Sequence, residues 1–356
     1  MVNRPKPNSD GPFFADYLSG EQPLSGPTAR TLYDLARQVY RQSPWKIVHG
    51  DDPFVLDLDP DVPPVYITIL GSGGEIFGLK AYQNLAAQAF LLDLLAGRHH
   101  AVEHFLLRRQ VLSLEYSYRR DLDAPDRDLL NAMEHAKSTA PNNPFFRAGR
   151  PGSHDWYLTE EEGQRFCEIL AALVWLFTTH STDALDEIFS QAGWPRLTLR
   201  NERYEIAPAP VPERPTIQPD PVTLPSPEAL ALLTPFAGKL TGTIEMEAVV
   251  TPAVVGGKLE RPDFLVVVLA VEAETGLALA PEAAKAASPI APALARVIAA
   301  AAEARGGLPA EIHHAGSLHV IKPLLDALGV KLELRRDLPA FEHAMGALME
   351  HLSPAQ

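Results

Sequence analysis

Apolar residues recur along this chain with two spacings, one suited to strands and one to helices. Three apolar runs, 54–58, 65–70 and 76–82, stand between clusters of Pro, Asp and Gly. β-Branched and aromatic residues bounded by turn formers predict consecutive antiparallel strands there. Helical spacing frames them. Leu32, Leu35, Ala36, Val39 and Tyr40 share one face of a helix that Thr28 caps and Ser43-Pro44 ends. Residues 85–96 are apolar nearly all round, which predicts a buried helix stopped by Gly97. Residues 99–107 read as helical. Residues 110–118 alternate like a half-buried strand, and 124–137 read as a helix with Asp123 as its cap. Residues 141–156 have no clear period and are expected to be irregular. Thr159 and Glu162 then form a capping box ahead of the clearest amphipathic helix, whose stripe is Phe166, Ile169, Leu170, Leu173, Val174 and Phe177. One further strand is expected over 194–206.

The stretch 207–227 interrupts both spacings with eight prolines. Such a run donates too few backbone hydrogen bonds for a packed element and tends to extended polyproline II. It marks a linker between an α+β domain with an antiparallel sheet over 28–206 and a second domain over 228–356. Residues 1–27, rich in Pro, Gly and polar groups, are expected to be a flexible tail. Beyond the linker, apolar runs at 242–250, 264–271 and 277–280 predict three strands, with Gly256-Gly257 and Thr275-Gly276 in the turns. A helix follows behind Ser288-Pro289 and stops at Gly306-Gly307. A strand at 309–313, a helix at 318–328, a strand at 330–334 and a last helix capped by Asp337 complete the order β-β-β-α-β-α-β-α. A strand joined to a later one through a long helix pairs with it in parallel. The 309–313 strand is therefore expected beside 242–250.

Composition narrows the functional classes. The 356 residues fit two domains better than one. A formal charge of −14 disfavours non-specific binding to nucleic-acid phosphates, which needs clustered Lys and Arg. One cysteine, Cys167, excludes an intrachain disulfide and a cysteine-rich zinc site. With no basic neighbour or His beside it, Cys167 reads as a packing residue rather than a nucleophile. No stretch has the roughly 18 apolar residues of a membrane span. The opening MVNRPKPNSDGP lacks a signal peptide's apolar core, so the expectation is a cytoplasmic protein without a membrane partner.

Several motifs carry possible chemistry. His100, Glu103 and His104 form an H-x-x-E-H, in which two histidines four apart on a helix can bind zinc with the glutamate as general base. It resembles the motif of inverted zinc peptidases, and that resemblance asks for a distant acidic ligand such as Asp186 or Glu187. The peptidases' Gly-rich setting is not reproduced around it. Residues 71–75, GSGGE, lack the Lys-Ser/Thr ending of a phosphate loop and precede a strand, so a hairpin turn is expected. Glu75 then stands at the end of the sheet. Arg147, Arg150, His154 and Trp156 lie on or beside a long loop and would make a recognition surface for an acidic or planar group. The alternative is that Trp156 pins the loop to the core.

Two stretches resemble known families. The run from Trp45 through GSGGEIFGLKAY, followed by RPGSHDWYLTEEE, resembles the N-terminal domain of an uncharacterised bacterial two-domain family. RPDFLVVVLAVEAETGLAL, GLPAEIHH and LLDALGVKLELRRDLPAF resemble its C-terminal domain. Both are known only as domains of unknown function. The second domain's order also resembles a ribonuclease H-like fold, whose nucleases hold divalent metals with acids on the first and fourth strands. That resemblance puts Glu245 or Glu247 on the first strand and His313-His314 on the fourth, where an acid is expected. Two-metal chemistry needs several converging oxygen ligands. A histidine pair weakens such a site, so the resemblance implies the fold more than the activity.

The expectation is a non-catalytic binding or regulatory protein with no cofactor and an unidentified protein or small-molecule partner. The rival reading is a metal-dependent hydrolase working through His100, Glu103 and His104 or through Glu245, Glu247 and His314.

Overall fold

The computed structural model describes residues 11–352 except 51, 60, 98–107, 136–137, 202, 217–226 and 258. The chain divides into two units, Met1–Ile217 with Gly256–Pro262, and Gln218–Val255 with Asp263–Gln356. Each is mixed α/β and built on its own mixed sheet.

In the first unit, β1 (Phe54–Asp57), β2 (Val65–Leu70), β3 (Phe77–Tyr82), β4 (Val111–Ser117) and β5 (Asn143–Gly149) form an antiparallel meander. The two remaining strands, β6 (Arg196–Arg200) and β7 (Arg203–Ala207), are a hairpin whose first strand joins β1 in parallel. The sheet is therefore mixed, in the order β5-β4-β3-β2-β1-β6-β7, and the expected purely antiparallel sheet is corrected. The single strand expected at 194–206 is this hairpin, because Asn201 takes a left-handed φ of 48° at its turn.

Alternation along the strands sends Phe54, Leu56, Ile67, Ile69, Leu79, Leu112, Leu114 and Phe146 to one face. There they meet α1 (Gly26–Gln42) and the stripe of α4 (Glu160–Thr179), including Phe166, Ile169, Leu170 and Leu173. The other face, with Val55, Tyr66, Tyr82 and Val111, packs on Trp194 and on Ala87 and Leu91 of α2 (Leu85–Leu95). The capping box is present, Thr159 accepting from the Glu162 N–H while the Glu162 carboxylate takes the Thr159 N–H. Helices α3 (Ala124–Ala132) and α5 (Thr182–Phe189) complete the unit.

Three local expectations change. Residues 143–149, expected to be irregular, form β5. Pro144 is tolerated because β5 is an edge strand, and Phe146 and Ala148 alternate inward against Phe145 and Arg147. Residues 11–27, expected as flexible tail, enter the core through Phe13, Phe14, Leu18 and Leu24, all buried. Apolar burial there overrides a Pro- and Gly-rich composition. Ser25, not Thr28, caps α1, and the Thr28 hydroxyl donates to Glu160 instead, at 2.6 Å. Residues 207–216 of the Pro-rich stretch are fastened to this unit, with the Trp194 N–H donating to the Ala209 carbonyl and Arg214 forking onto Asp93.

The second unit starts with α6 (Pro227–Leu233), absent from the expected order. Its sheet comprises β8 (Leu240–Val255), β9 (Asp263–Glu272), β10 (Ala278–Lys285), β11 (Leu308–His314) and β12 (Lys331–Leu334), ordered β10-β9-β8-β11-β12. Strands β8, β9 and β10 are antiparallel neighbours, and β11 pairs in parallel with both β8 and β12. Helix α7 (Ala291–Arg305) makes the crossover from β10 to β11 that requires this pairing. It starts later than expected, with Ile290 rather than Ser288 at its N-cap, and ends at Gly306 in the left-handed conformation. One sheet face buries Ile244, Met246, Val268 and Ile312 under α7. On the other, Val267, Leu269 and Val271 meet Leu338, Phe341 and Met345 of the α9 region (helix Pro339–Leu352). The short α8 (Lys322–Ala327) links β11 to β12.

Candidate functional site

The second unit gathers ionisable side chains on one face of β8, β11 and β12. Residues two apart on a strand share a face, so Glu245 lies with Glu247 and Glu311 with His313. Parallel pairing puts His313 in register with Glu245 on one side and with Glu333 on the other. Three adjacent strands thus carry a row of carboxylate, imidazole and carboxylate. Beside it, Glu311 is in register with Lys331.

The carboxylates of β8 are engaged in the fold. Glu245 Oε2 accepts from the Phe341 N–H at 2.8 Å, in the first turn of α9, where the helix's orphan donors favour negative charge. Glu247 is more fully used. Its Oε1 accepts from the N–H groups of Ala248 and Ser317, both at 3.0 Å, and its Oε2 from the Ala315 N–H. The chain leaving β11 is thereby anchored to β8. His314 is buried near Glu247 and His319, and burial pushes its pKa below the ordinary histidine value.

Glu311, His313 and Glu333 are arranged differently. One donor atom from each lies within 4.8 Å of the other two, and His313 Nε2 is 3.8 Å from Glu311 Oε1. The His313 side chain is 8% exposed, against 24% for Glu311 and 34% for Glu333. Among the described residues neither ring nitrogen of His313 has a hydrogen-bond partner. At the solvent side, the ammonium of Lys331 bridges Glu311 at 2.7 Å and Glu333 at 3.0 Å. Arg335 also pairs with Glu333.

In the first unit Arg147, Arg150 and Trp156 are held by contacts within the fold. Arg147 grips the buried Asp126 with its two terminal guanidinium nitrogens, at 2.9 and 2.6 Å, and lies over the Tyr157 ring at 4.6 Å. Burial works against its charge, but Asp126 more than compensates and raises its pKa. Arg150 pairs with Glu162 and Glu21. Burial disfavours the charged form of Glu162, yet hydrogen bonding from Arg150 and the Arg261 guanidinium leave its carboxyl below the usual range. Trp156 forms a bridge with Ala148 and donates its indole N–H to the Tyr17 carbonyl, so it pins the loop. The His154 backbone N–H donates to the Pro262 carbonyl. Glu75 is exposed in the β2–β3 turn, where Gly71 and Gly74 hold positive φ. These residues are not brought together into one cluster with Glu75. Burial pushes the Cys167 thiol up to about 12, the behaviour of a packing residue. His100, Glu103 and His104 lie outside the described residues.

Sequence reasoning missed Glu311, Glu333 and Lys331. The signal was present as alternation, in LPAEIHH and KLEL, but it shows only once the two strands are aligned in parallel. It also missed an apolar groove of about 410 Å³ in the first unit, lined by Leu92, Leu95, Trp194, Val211, Pro212 and Arg214. Its walls come from segments more than a hundred residues apart.

Residues 30–192 match the model of a domain of unknown function (DUF7309), and residues 230–349 match that of a second one (DUF6930). The two matches cover successive parts of the chain and agree with two domains, each of unknown function. No curated protein and no solved structure matches it. Among the described residues no helix is long and apolar enough to cross a membrane.

Proposed function

We propose that the chain is a non-catalytic binding or regulatory protein of the cytoplasm, whose second unit has a ribonuclease H-like fold without nuclease chemistry. The strand order β10-β9-β8-β11-β12, with β11 parallel to β8, supports the fold. The observation that carries the loss of chemistry is Glu247. Its two oxygens take three backbone N–H groups, while a two-metal centre needs such oxygens free to converge on cations. On the fourth strand the matching position is a histidine. Purified protein with magnesium or manganese is expected to leave single-stranded, duplex and hybrid nucleic acids intact. Cleavage that disappears in Glu245→Gln or Glu247→Gln would overturn this reading.

The binding surface we assign is the groove beside α2. Its volume and largely apolar walls, with Asp93 and Arg214 paired at one side, suit a small apolar ligand or an apolar side chain of a protein partner. We keep the Pro-rich stretch 207–227 as the domain boundary, which the division of the chain between Ile217 and Gln218 supports. An environment-sensitive apolar dye should brighten on binding the folded chain, and Leu95→Glu should abolish the signal without lowering the thermal midpoint. An unchanged signal in that variant sinks the assignment.

A further inference from the structure

We propose that Glu311, His313 and Glu333 bind one divalent first-row transition ion of the zinc type. This stands apart from the non-catalytic reading above, since it asks nothing of Glu245 or Glu247. Neighbouring acids alone would not carry it, because exposed carboxylates cluster without binding metal. The deciding group is His313. Its side chain is more than nine-tenths buried, it faces the two carboxylates, and among the described residues neither nitrogen has a hydrogen-bond partner. A buried imidazole without hydrogen bonds costs free energy. Giving the ring's lone pair to a cation removes the part of that cost that falls on the acceptor nitrogen.

The geometry needs only a small adjustment. Ligands about 2.0–2.1 Å from a tetrahedral ion stand about 3.3 Å apart. The three donor atoms already lie within 4.8 Å of one another. Two of them end glutamate chains on the solvent side, which can swing, and the third is fixed by the packing of β11. One imidazole with two carboxylates suits zinc, cobalt or manganese better than magnesium, which prefers an all-oxygen octahedron. Three protein ligands leave a coordination position for water. Because Glu311 and His313 lie on β11 and Glu333 on the edge strand β12, a bound ion ties the edge to the sheet.

Lys331 supplies the sign of the test. Its ammonium sits on both carboxylates, so it competes with a cation for them. The side chain is 65% exposed and has solvent to move into when an ion displaces it. Removing it should strengthen metal binding, an outcome that damage to the fold does not mimic.

The experiment uses the full chain carrying His100→Gln and His104→Gln, which silences the other candidate motif. Zinc is titrated calorimetrically, and cobalt is followed by its visible absorption. One equivalent is expected to bind. Glu333→Gln, at a partly exposed position, should weaken zinc by about tenfold or more, and Lys331→Met should tighten it severalfold. Circular dichroism checks that both variants fold. Both shifts together, with magnesium failing to compete at equal concentration, support the site. Absence of binding in the background chain, or any other pattern in the two variants, overturns it, and effective competition by magnesium overturns the metal class.

Discussion

Asp126 in the first unit is closed off by Arg147, and Glu162 by Arg150, each a carboxylate matched to a guanidinium. In the second unit Glu247 is closed off by backbone N–H groups, and the His313 ring lies between carboxylates with no hydrogen bond among the described residues. The two solutions differ in what they leave over. A forked Arg–carboxylate pair satisfies both partners and holds an edge strand to a helix. A carboxylate spent on backbone amides anchors a loop and leaves neighbouring side chains unanswered. Among the described residues, the buried imidazole left open beside carboxylates is therefore in the second unit, even though the first carries the more conspicuous Arg and Trp residues.

The largest effect that would sharpen this contrast is at Arg147. Arg147→Met leaves Asp126, 2% exposed, as an uncompensated buried charge. Breaking a buried pair from one side costs about 3–5 kcal/mol. Urea unfolding should show that loss, and Asp126→Leu added to the variant should recover much of it. A loss below about 1 kcal/mol would break the contrast, because Arg147 would then be free for recognition after all.

Next comes Glu247→Gln. The amide keeps the shape but offers an acceptor on one side only, so an N–H group loses its partner. The expected cost is about 1–3 kcal/mol. Hydrogen exchange should accelerate at Ala315 and Ser317 and leave α4 of the first unit unchanged. Unaltered exchange at both amides would mean that Glu247 does not anchor the chain after β11.

How much was legible in the sequence follows the range of the forces involved. The capping box of Thr159 and Glu162, the stripe from Phe166 to Phe177 and the stop at Gly306 are local patterns, and the sequence predicts them. The β2–β3 turn through Gly71 and Gly74 is local as well. Strand β5 was hidden because Pro144 and a preceding run of Pro and Asn imitate a loop, while the partner that makes it a strand is β4. Phe13 and Phe14 looked like tail because their burial depends on Tyr157 and its neighbours, about 140 residues away. The parallel pairing of β11 with β8 was within reach, since handedness and crossover length constrain it. The Glu311–His313–Glu333 cluster needed one step more, the alignment of β12. The candidate residues around Trp156 stand out by type alone, and a sequence does not show that Asp126, Glu21 and Glu162 already hold the arginines.

The smallest effect sets one histidine against another. His135 of the first unit shares a hydrogen bond with the Tyr33 hydroxyl, and the two rings meet edge to face. Burial, followed by the nearby charges of Arg119 and Arg37, pushes its pKa below the ordinary 6.5, while the Asn142 side chain opposes the shift. His313 is bordered instead by Glu245, Glu311 and Glu333. A histidine among cations stays neutral and repels a metal; one among anions with open nitrogens attracts it. For His135 the sign is definite. As pH falls below about 6.5, the unfolded chain takes up a proton there before the folded chain does, so stability falls until the folded ring is protonated as well. Above that value both states are neutral and the contribution is flat. Because His135 is only half-buried, solvent screens the charges and the slope is slight. The stability of His135→Gln, followed by urea unfolding from pH 7.5 to pH 5, should therefore fall less than that of the parent chain. A variant that loses stability more steeply than the parent would mean that protonated His135 is favoured in the fold, and the contrast with His313 would fail.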